Sequence, residues 1–551
     1  MSGPLAPAGK RYAPYFLLAL IVLAPLFAPG YILTLDAVFV PRIAAPAAVG
    51  SDYLWQWALH ALNSFVPAQA LEKAIFVAIV LVSAIGAHRL VERLRQQVAS
   101  EKTLQWGWVQ YAGGVLYAAN PFTYDRFMAG QYGVLMGYAL LPSALMWVLD
   151  FAARPGRNAM LKVACAMAVL GIVSLPTLGE FVLLAACVML ASAWQKRRQA
   201  PVLWAYVWRS FVALGLFALL SCYWLAPLLS GKGATATAIT GFTPAHTAAF
   251  ATVGDTLLAR IAAVLRLQGF WAEAHYLYEL PQQQLPGWGT VRLVVWALVA
   301  LGLAVLWLRE RWMAAWLTAA LILATVLAAG LFGAQLTDVG YREPQKFAGV
   351  VALVFAVCAA FGAARLQSWA VRQRAAVWQA AVPALVALAV LLFTPTMYWG
   401  FAGQLTPREY PAAWFQANAY LNRQRGGFQS VFLPWHQYMG FGFAGRIIAT
   451  PAAKFFQQPV ITSNDPELGA IQPPAGKETT QIGKLVLPGR PHDMLAGQLA
   501  AHNVRYILLA KDYDFQQYAF LSSAAHIRRV FDSHSIAVYE NLSWKGVPHA
   551  R

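Results

Sequence analysis

"LYAANPFTYDRFMAGQYGVLMGYALLP", residues 116–142, joins two apolar runs through a short segment that carries charge. Asn120-Pro121 is a dipeptide that ends a helix, and a second apolar run begins at residue 132. The stretch therefore predicts two neighbouring helices with Asp125 and Arg126 between them. The charges have two interpretations: a local Asp–Arg pair that closes a turn, or functional charge beside an apolar environment, where it is costly.

Apolar runs of this kind recur along the whole chain of 551 residues, of which 59% are hydrophobic and 12% charged, with a mean hydropathy of +0.52. Soluble proteins have about 25% charged residues, and a helix needs about 20 apolar residues to cross a bilayer. The sequence therefore predicts a polytopic α-helical membrane protein. About eleven spans are expected, at residues 14–34, 72–91, 104–119, 132–152, 159–175, 177–194, 210–229, 289–308, 313–334, 345–364 and 376–397.

Positive charge alternates between the loops that join these spans. Eighteen Lys and Arg lie in every second loop, against nine in the others. Cytoplasmic loops are the ones rich in Lys and Arg, so we expect a cytoplasmic N-terminus and a C-terminus on the outer side of the membrane. The net charge of +18 then reflects membrane topology rather than nucleic-acid binding.

The sequence divides into two predicted domains. Residues 1–400 form the helical bundle, with long outer loops at 35–71 and 230–288, each containing an amphipathic helix (in "SDYLWQWALHALNSF" and "DTLLARIAAVLRLQGF"). From residue 401 the apolar runs shorten and Pro, Gly, Asn and Gln return. One helix ("YPAAWFQANAYLNRQ") and three strands ("FQSVFLPW", "NVRYILLA", "SIAVYEN") predict an extracytoplasmic α/β domain over 401–551.

Asp36 is the first candidate for chemistry, because it follows the first span within a few residues. It either marks the water boundary at the end of a helix or acts as a general base at the mouth of the bundle. Arg342 and Lys346, in "GYREPQKF" at residues 340–347, stand four apart on one helical face if a helix begins there. They suit either a phosphate or the anchoring of lipid headgroups. Glu180 lies inside a predicted span, where it should face protein or water.

Catalytic and metal motifs of the common kinds are absent from the sequence. No G-x-S-x-G, Walker or Rossmann glycine pattern occurs, and His60, His436 and His502 lack ligand spacing. The four cysteines all lie in apolar runs without partners at metal spacing. No metal-ligating residues are therefore predicted.

Four segments, taken in the order in which they occur, resemble those of the GT-C class of polytopic glycosyltransferases. The similarity is greatest to arabinofuranosyltransferase-like bacterial membrane proteins. The segments are "LTLDAVF" at 33–39, the opening stretch at 116–142, "YREPQKF" at 341–347 and the C-terminal "AVYENL" at 537–542. No single one of them is specific. The resemblance implies a sugar donor carried on polyprenyl phosphate and a glycan or lipid acceptor of the cell envelope.

The same resemblance assigns roles to residues. Asp36 corresponds to the catalytic base of the first outer loop, and Arg342, Lys346 and Arg126 to the cations that hold the donor phosphate in one inverting displacement. Further residues expected at the cavity are Asp52, Asp125, Glu180 and Glu343. Some relatives pair two acids after the first span and bind a divalent cation. Here Asp52 is sixteen residues beyond Asp36, which leaves a cation requirement open.

Two other functions fit the same sequence features. A transporter or flippase for lipid-linked saccharides would share the bundle and the basic outer patch, but should carry polar residues near the middle of several spans. A non-catalytic assembly protein would tolerate the loss of every outer acid.

Overall fold

The computed structural model describes residues 8–98, 104, 106–338, 340–468, 471, 477–489 and 493–546. Contacts between residues divide the chain into two compact units. Unit 1 comprises the described residues of 1–27, 46–58 and 73–404, and unit 2 those of 28–45, 59–72 and 405–551. Residues 35–45 and 59–71, which the sequence predicts as part of the outer loop 35–71, thus belong to the unit that contains the C-terminal region. Residues 28–34, expected at the end of the first span, belong to the same unit.

Helices make up most of the described residues up to 404. The helices are α1 Ala8–Leu23, α2 Tyr53–Asn63, α3 Ala68–Arg95, α4 Val109–Ala118, α5 Pro121–Met128, α6 Tyr132–Ala153, α7 Arg157–Val173, α8 Leu175–Gln195, α9 Ala200–Leu220, α10 Cys222–Leu229, α11 Gly233–Thr240, α12 Pro244–Ala249, α13 Leu257–Leu265, α14 Pro281–Gln284, α15 Trp288–Arg309, α16 Arg311–Ala328, α17 Gly333–Asp338, α18 Ala348–Arg372, α19 Ala376–Leu392 and α20 Tyr398–Ala402. Short 3-10 turns occupy Ala24–Phe27, Trp271–His275, Pro344–Phe347 and Pro395–Met397. Both amphipathic helices predicted in the long loops are present, as α2 and α13.

Among the described residues, eight helices are long and apolar enough to cross a membrane, or nine if the pair Ala376–Leu392 and Pro395–Ala402, bent by 65°, is one span. The prediction of a polytopic helical membrane protein is confirmed. Two of the eleven expected segments are shorter helices, α4 with 10 residues and α7 with 17. Asn120-Pro121 ends the first segment, while Gly156 and Ser174 cap the two ends of the second. The segment expected at 210–229 is shifted towards the N-terminus, because α9 runs from Ala200 to Leu220.

Helix α18 lies at the centre of unit 1 and is buried along its apolar length. It packs against α4, α15, α16 and α19. The contact with α15 is close because each helix places a glycine against the backbone of the other. A Cβ on Gly302 would lie 1.7 Å from the carbonyl oxygen of Cys358, and one on Gly362 would lie 2.1 Å from that of Leu298. Small residues permit such approach between membrane helices.

The opening stretch of the sequence forms the α4–α5–α6 segment. Asn120 caps α5, since its Oδ1 accepts from the backbone N–H of Thr123 (3.2 Å) and the Thr123 hydroxyl accepts from the N–H of Asn120 (3.1 Å). The rings of Tyr117 and Tyr138 stack at 4.1 Å. All eight residues of α5 are buried, so the segment is an internal helix rather than a turn at the water boundary.

Unit 2 contains a five-stranded sheet in the order β4-β1-β5-β7-β6. Strands β1 Gln429–Leu433, β4 Val460–Ile461 and β5 Val504–Ala510 are parallel, while β6 Ile527–Asp532 and β7 Ile536–Asn541 run antiparallel. A separate hairpin pairs β2 Tyr438–Phe441 with β3 Arg446–Ala449. The helices are α21 Ala412–Asn422, α22 Ala452–Phe455, α23 Glu478–Val486 and α24 Leu495–Ala501, with a 3-10 turn at Phe515–Ser522. The predicted α/β composition is confirmed.

The stretch 28–45 joins unit 2 by backbone hydrogen bonds. Tyr31 and Arg408 exchange two backbone hydrogen bonds of 2.8 Å, and the N–H of Ala449 donates to the carbonyl of Leu35 (2.8 Å). The loop that carries Asp36 is therefore held by the hairpin β2–β3 and by residues just after 404.

Candidate functional site

Arg126 and Glu343 form a buried ion pair in unit 1. Nη1 of Arg126 lies 3.0 Å from Oε2 of Glu343, and their side chains are 0% and 2% exposed. The guanidinium also donates to the amide oxygens of Gln131 (2.7 Å) and Gln345. Its plane lies over the ring of Phe270 at 4.1 Å. Arg126 is thus held inside the protein through its two Nη atoms, and its ion pair is with Glu343 rather than with the neighbouring Asp125.

Glu343 has two further cationic neighbours. Nζ of Lys346 lies 3.3 Å and Nε of Arg342 lies 3.7 Å from Oε1 of Glu343. Burial alone would raise the pKa of the Glu343 carboxyl, but the three neighbouring cations outweigh burial and lower the pKa to about 2. Three positive charges around one negative charge leave a surplus of two. An anion with two charges would complete this cluster.

The three cations differ in how far a ligand could reach them. The Arg342 side chain is 39% exposed, that of Lys346 is 11% exposed, and that of Arg126 is buried. Arg342 and Lys346 would share a helical face if a helix began at Arg342, but Arg342 precedes the 3-10 turn Pro344–Phe347 and α18 begins only at Ala348. The two side chains converge instead on the Glu343 carboxylate.

A cavity of about 370 Å³ lies next to this cluster in unit 1. Its wall includes Phe242, Arg260 and Pro344. The guanidinium of Arg342 lies over the rings of Phe250 (4.6 Å) and Phe242 (5.4 Å). Arg260 was not singled out from the sequence, although its place on the amphipathic helix α13 was the signal that could have found it.

Asp125 belongs to a second cluster in unit 1. Its carboxyl is buried beside that of Glu273, whose Oε1 accepts from the N–H groups of Gly269 (2.7 Å) and Phe270 (3.1 Å). Burial, reinforced by the charge of Glu273, raises the pKa of Asp125 well above its ordinary value, and burial also raises that of Glu273. Two neighbouring carboxyls disfavour being charged together, so each retains its proton to a higher pH. Sequence reasoning had not paired them, because they are far apart in the chain.

Glu180 lies within the span α8 and is buried. Its Oε2 is so close to α18 that a Cβ on Gly349 would lie 2.7 Å from it. The hydroxyl of Tyr341 interacts with the carboxyl group of Glu180. Arg126 and Lys346 are the cations whose charge acts on Glu180. The carboxylate therefore faces the protein interior near the Glu343 cluster, as expected for an acid at that depth.

Asp36 lies in a bend of the 28–45 loop in unit 2 and is partly exposed. The hydroxyl of Tyr438, on β2, donates to its Oδ1 at 2.9 Å. The ammonium of Lys454, on α22, also interacts electrostatically with it. Asp36 is thus held by the folded unit rather than lying at a bare helix end. Asp52, by contrast, is an exposed residue before α2 in unit 1, where it accepts from the Gln56 amide (2.6 Å).

Unit 2 also holds a histidine between two acids, which sequence reasoning missed. Nδ1 of His436 contacts the Glu467 carboxylate, and Nε2 lies 3.2 Å from Oδ2 of Asp514. These residues follow β1, β4 and β5, the three parallel strands. Among the described residues no group of three His, Cys, Asp or Glu is arranged to hold a metal. The involvement of a divalent cation stays a hypothesis.

Comparison with known proteins identifies the fold. No family model matches the chain, and no curated protein matches it. The cryo-EM structure of the arabinofuranosyltransferase AftD from Mycobacteria aligns with a TM-score of 0.66 and 16% identity, over 99% of this chain and 40% of that chain. The AftD mutant R1389S in its class 1 structure aligns with a TM-score of 0.63 and 15% identity. The crystal structure of ArnT from Cupriavidus metallidurans aligns over 99% of this chain with a TM-score of 0.37 and 11% identity.

The chain spans 40% of the length of the AftD chain that it resembles. At this identity the likeness concerns the fold. The GT-C-like fold expected from the resemblance is therefore confirmed, for a multi-pass membrane protein with a C-terminal α/β unit.

Proposed function

We propose that this chain is a membrane glycosyltransferase that moves a sugar from a polyprenyl-phosphate donor to a glycan or lipid acceptor of the cell envelope. The observation that carries the proposal is the surplus of two positive charges around the buried carboxylate of Glu343. Clusters of this kind stabilise phosphate oxygens, for which the fork of an arginine is well suited. The AftD-like fold supports a sugar as the group transferred.

The cations of the cluster have different tasks in this proposal. Arg342, the most exposed of the three, contacts the donor phosphate, and Lys346 adds a second positive charge. Arg126 is a positioning residue, because its buried guanidinium fixes the Glu343 carboxylate between the two ligand-binding cations. This assignment narrows the expectation from the sequence, which gave Arg126 a direct share in phosphate binding.

The transfer itself is one inverting displacement. Asp36 accepts the proton of the acceptor hydroxyl, whose oxygen then bonds to the anomeric carbon of the sugar. The bond from that carbon to the phosphate oxygen breaks, and its electron pair leaves with the polyprenyl phosphate. Arg342 and Lys346 stabilise the charge that develops on this leaving group. The hydroxyl of Tyr438 orients the Asp36 carboxylate through its hydrogen bond.

We also propose that the reaction takes place on the outer side of the membrane. The alternation of basic loops supports a cytoplasmic N-terminus in the bacterial plasma membrane, with the C-terminal unit on the outer side. The donor would then be used at the outer leaflet, where its sugar–phosphate bond lies at the level of the headgroups.

The proposal is tested by the composition of the surface glycan in the source cell. A strain without the chain is complemented by the wild type, by Asp36→Asn, or by Asp255→Asn, which removes an exposed acid outside the proposed site. With equal amounts of protein in the membrane, we expect Asp36→Asn to fail like the empty vector and Asp255→Asn to restore the glycan. Restoration by Asp36→Asn would contradict the catalytic role and favour a transporter or an assembly protein.

A further inference from the structure

A second charged cavity lies elsewhere in unit 1, where three helices end or begin. It has a volume of about 720 Å³ and lies at the C-terminal ends of α3 and α6 and the N-terminal end of α7. Four cations and one acid line it: Arg93, Arg154, Arg157, Lys162 and Asp150. The cavity therefore has a surplus of three positive charges.

Most of this charge is not neutralised within the protein. Arg93 donates to Asp150 at 2.9 Å, which uses the one acid of the cavity. Arg154, Arg157 and Lys162 are exposed and form no ion pair with any residue that the structure describes. The N-terminus of α7 adds to the positive potential, since its cap, Gly156, has no side chain to accept from the first N–H groups. An anion would satisfy these groups.

The turn between α6 and α7, beside the cavity, is held by hydrogen bonds from neighbouring helices. Nζ of Lys196 donates to the carbonyl of Ala152 (2.8 Å), and Arg209 donates to the carbonyl of Pro155. The turn between α6 and α7 is thus fixed from the side of α8 and α9. The cations Arg154 and Arg157 project from a fixed turn and not from a loose loop.

The position of the cavity favours a lipid as the source of the anion. Both α3 and α6 are membrane spans, so the cavity lies where spans leave the apolar layer. On α7, Arg157 is followed at intervals of four residues by Leu161, Cys165 and Val169, all exposed. A cation above an apolar stripe on one helix face matches a headgroup above its acyl chain.

We propose that this cavity binds the phosphate headgroup of an anionic phospholipid, with the acyl chains along the exposed face of α7. The cavity lies at the loops that follow the spans expected at 72–91 and 132–152. Both are among the basic loops expected on the cytoplasmic side, which assigns the site to the inner leaflet. The proposal does not depend on the glycosyltransferase proposal, because it uses other residues and another ligand.

The test measures lipid binding to the purified full chain by native mass spectrometry, with phosphatidylglycerol and phosphatidylcholine of equal chain length. The cavity variant carries Arg154→Gln, Arg157→Gln and Lys162→Gln. The matched control carries Arg365→Gln, Arg372→Gln and Arg374→Gln, which remove the same charge from the end of α18 and the turn after it. Each Lys or Arg near an anionic lipid surface increases the affinity for that surface by about fivefold.

We expect the wild type and the control to prefer phosphatidylglycerol, and the cavity variant to bind it at least tenfold more weakly with phosphatidylcholine unchanged. Equal binding by wild type and cavity variant, or an equal loss in the control, would overturn the proposal. Competition by millimolar inorganic phosphate would assign the site to a soluble phosphate and overturn the lipid source. If the triple variant does not fold, Lys162→Gln alone tests the same preference, and Arg365→Gln should leave it unchanged.

Discussion

The guanidinium of Arg126 and the carboxylate of Glu343 meet at 3.0 Å although 217 residues separate them in the chain. Both side chains are buried. The pair connects α5 to the turn that leads into α18, the central helix of unit 1. It also fixes the carboxylate around which Arg342 and Lys346 are arranged. A single buried acid thus organises the cations that we propose for donor binding.

The first prediction concerns the stability of this pair. Arg126→Gln should lower the apparent melting temperature of the purified protein, because breaking a buried ion pair on one side costs about 3–5 kcal/mol. Thermal unfolding in detergent measures this effect. Arg342→Gln, at a half-exposed position, is the control and should melt within a few degrees of the wild type. Equal melting of both variants would show that the buried pair has no special structural role.

The second prediction separates binding of phosphate from general electrostatics. Arg342→Gln should reduce sugar transfer by about 100-fold, as expected when one donor to a developing oxyanion is removed. Arg342→Lys should recover only part of this loss, because lysine lacks the bidentate fork. Lys232→Gln, which removes one exposed positive charge elsewhere, should transfer at the wild-type rate. A similar loss in Lys232→Gln would contradict a specific role for Arg342.

The third prediction concerns the hydrogen bond between Tyr438 and Asp36. Tyr438→Phe removes a hydroxyl that donates to the carboxylate at 2.9 Å. Hydrogen bonds to charged groups contribute about 1.5–3 kcal/mol, so transfer should fall by about tenfold or more while the unit remains folded. Tyr513→Phe, which alters an exposed tyrosine of the same unit, is the control. Full activity of Tyr438→Phe would show that orientation of Asp36 by Tyr438 is not needed.

The fourth prediction concerns the contact between α15 and α18. Gly302→Ala should abolish stable insertion, since the new Cβ would meet the backbone carbonyl of Cys358 at 1.7 Å. Gly289→Ala, on the same helix, has no atom within 4 Å of the new Cβ and should behave like the wild type. Membrane levels and size-exclusion profiles of the two variants test this. Normal levels of Gly302→Ala would mean that the two helices are not packed this closely.

The fifth prediction concerns pH. Burial and Glu273 raise the pKa of Asp125 in the folded protein above its ordinary value of 3.8. The folded state therefore binds more protons than the unfolded state, and stability is lost as pH rises from about that value through the folded-state pKa. Asp125→Asn should flatten this dependence. Melting temperatures from acid to alkaline pH measure it, and an unchanged slope in Asp125→Asn would assign the dependence to other groups.

Most of the fold follows from the sequence because its determinants are local. The length of the apolar runs predicted the spans. Asn120-Pro121 predicted a break between helices, and in the structure Asn120 forms the capping box at the start of α5. β-Branched and aromatic runs identified β1, β5 and β7 in unit 2. Helix α4 is shorter than the segment expected at 104–119, because it begins only at Val109 and Asn120-Pro121 follows its end. Helix α7 has the length expected for 159–175 and begins two residues earlier.

The site was harder to predict because its contacts are distant in the chain. Arg342 and Lys346 were found from their spacing, but the carboxylate that holds them pairs with Arg126 across 217 residues. No local sequence pattern indicates that Asp125 lies beside Glu273, or that His436 contacts both Glu467 and Asp514. The attachment of the 28–45 loop to β3 depends on a backbone hydrogen bond, which side-chain patterns do not reveal.

The most direct test of the central claim follows the leaving group. The wild type and Asp36→Asn are reconstituted in liposomes with a lipid extract of the source membranes, and release of polyprenyl phosphate is measured over time. Sugar transfer releases this lipid, whereas transport of an intact saccharide-lipid does not. We predict release by the wild type and none above background by Asp36→Asn. Release at the same rate by both proteins would contradict the catalytic role of Asp36, and absence of release from the wild type with its natural extract would contradict glycosyl transfer.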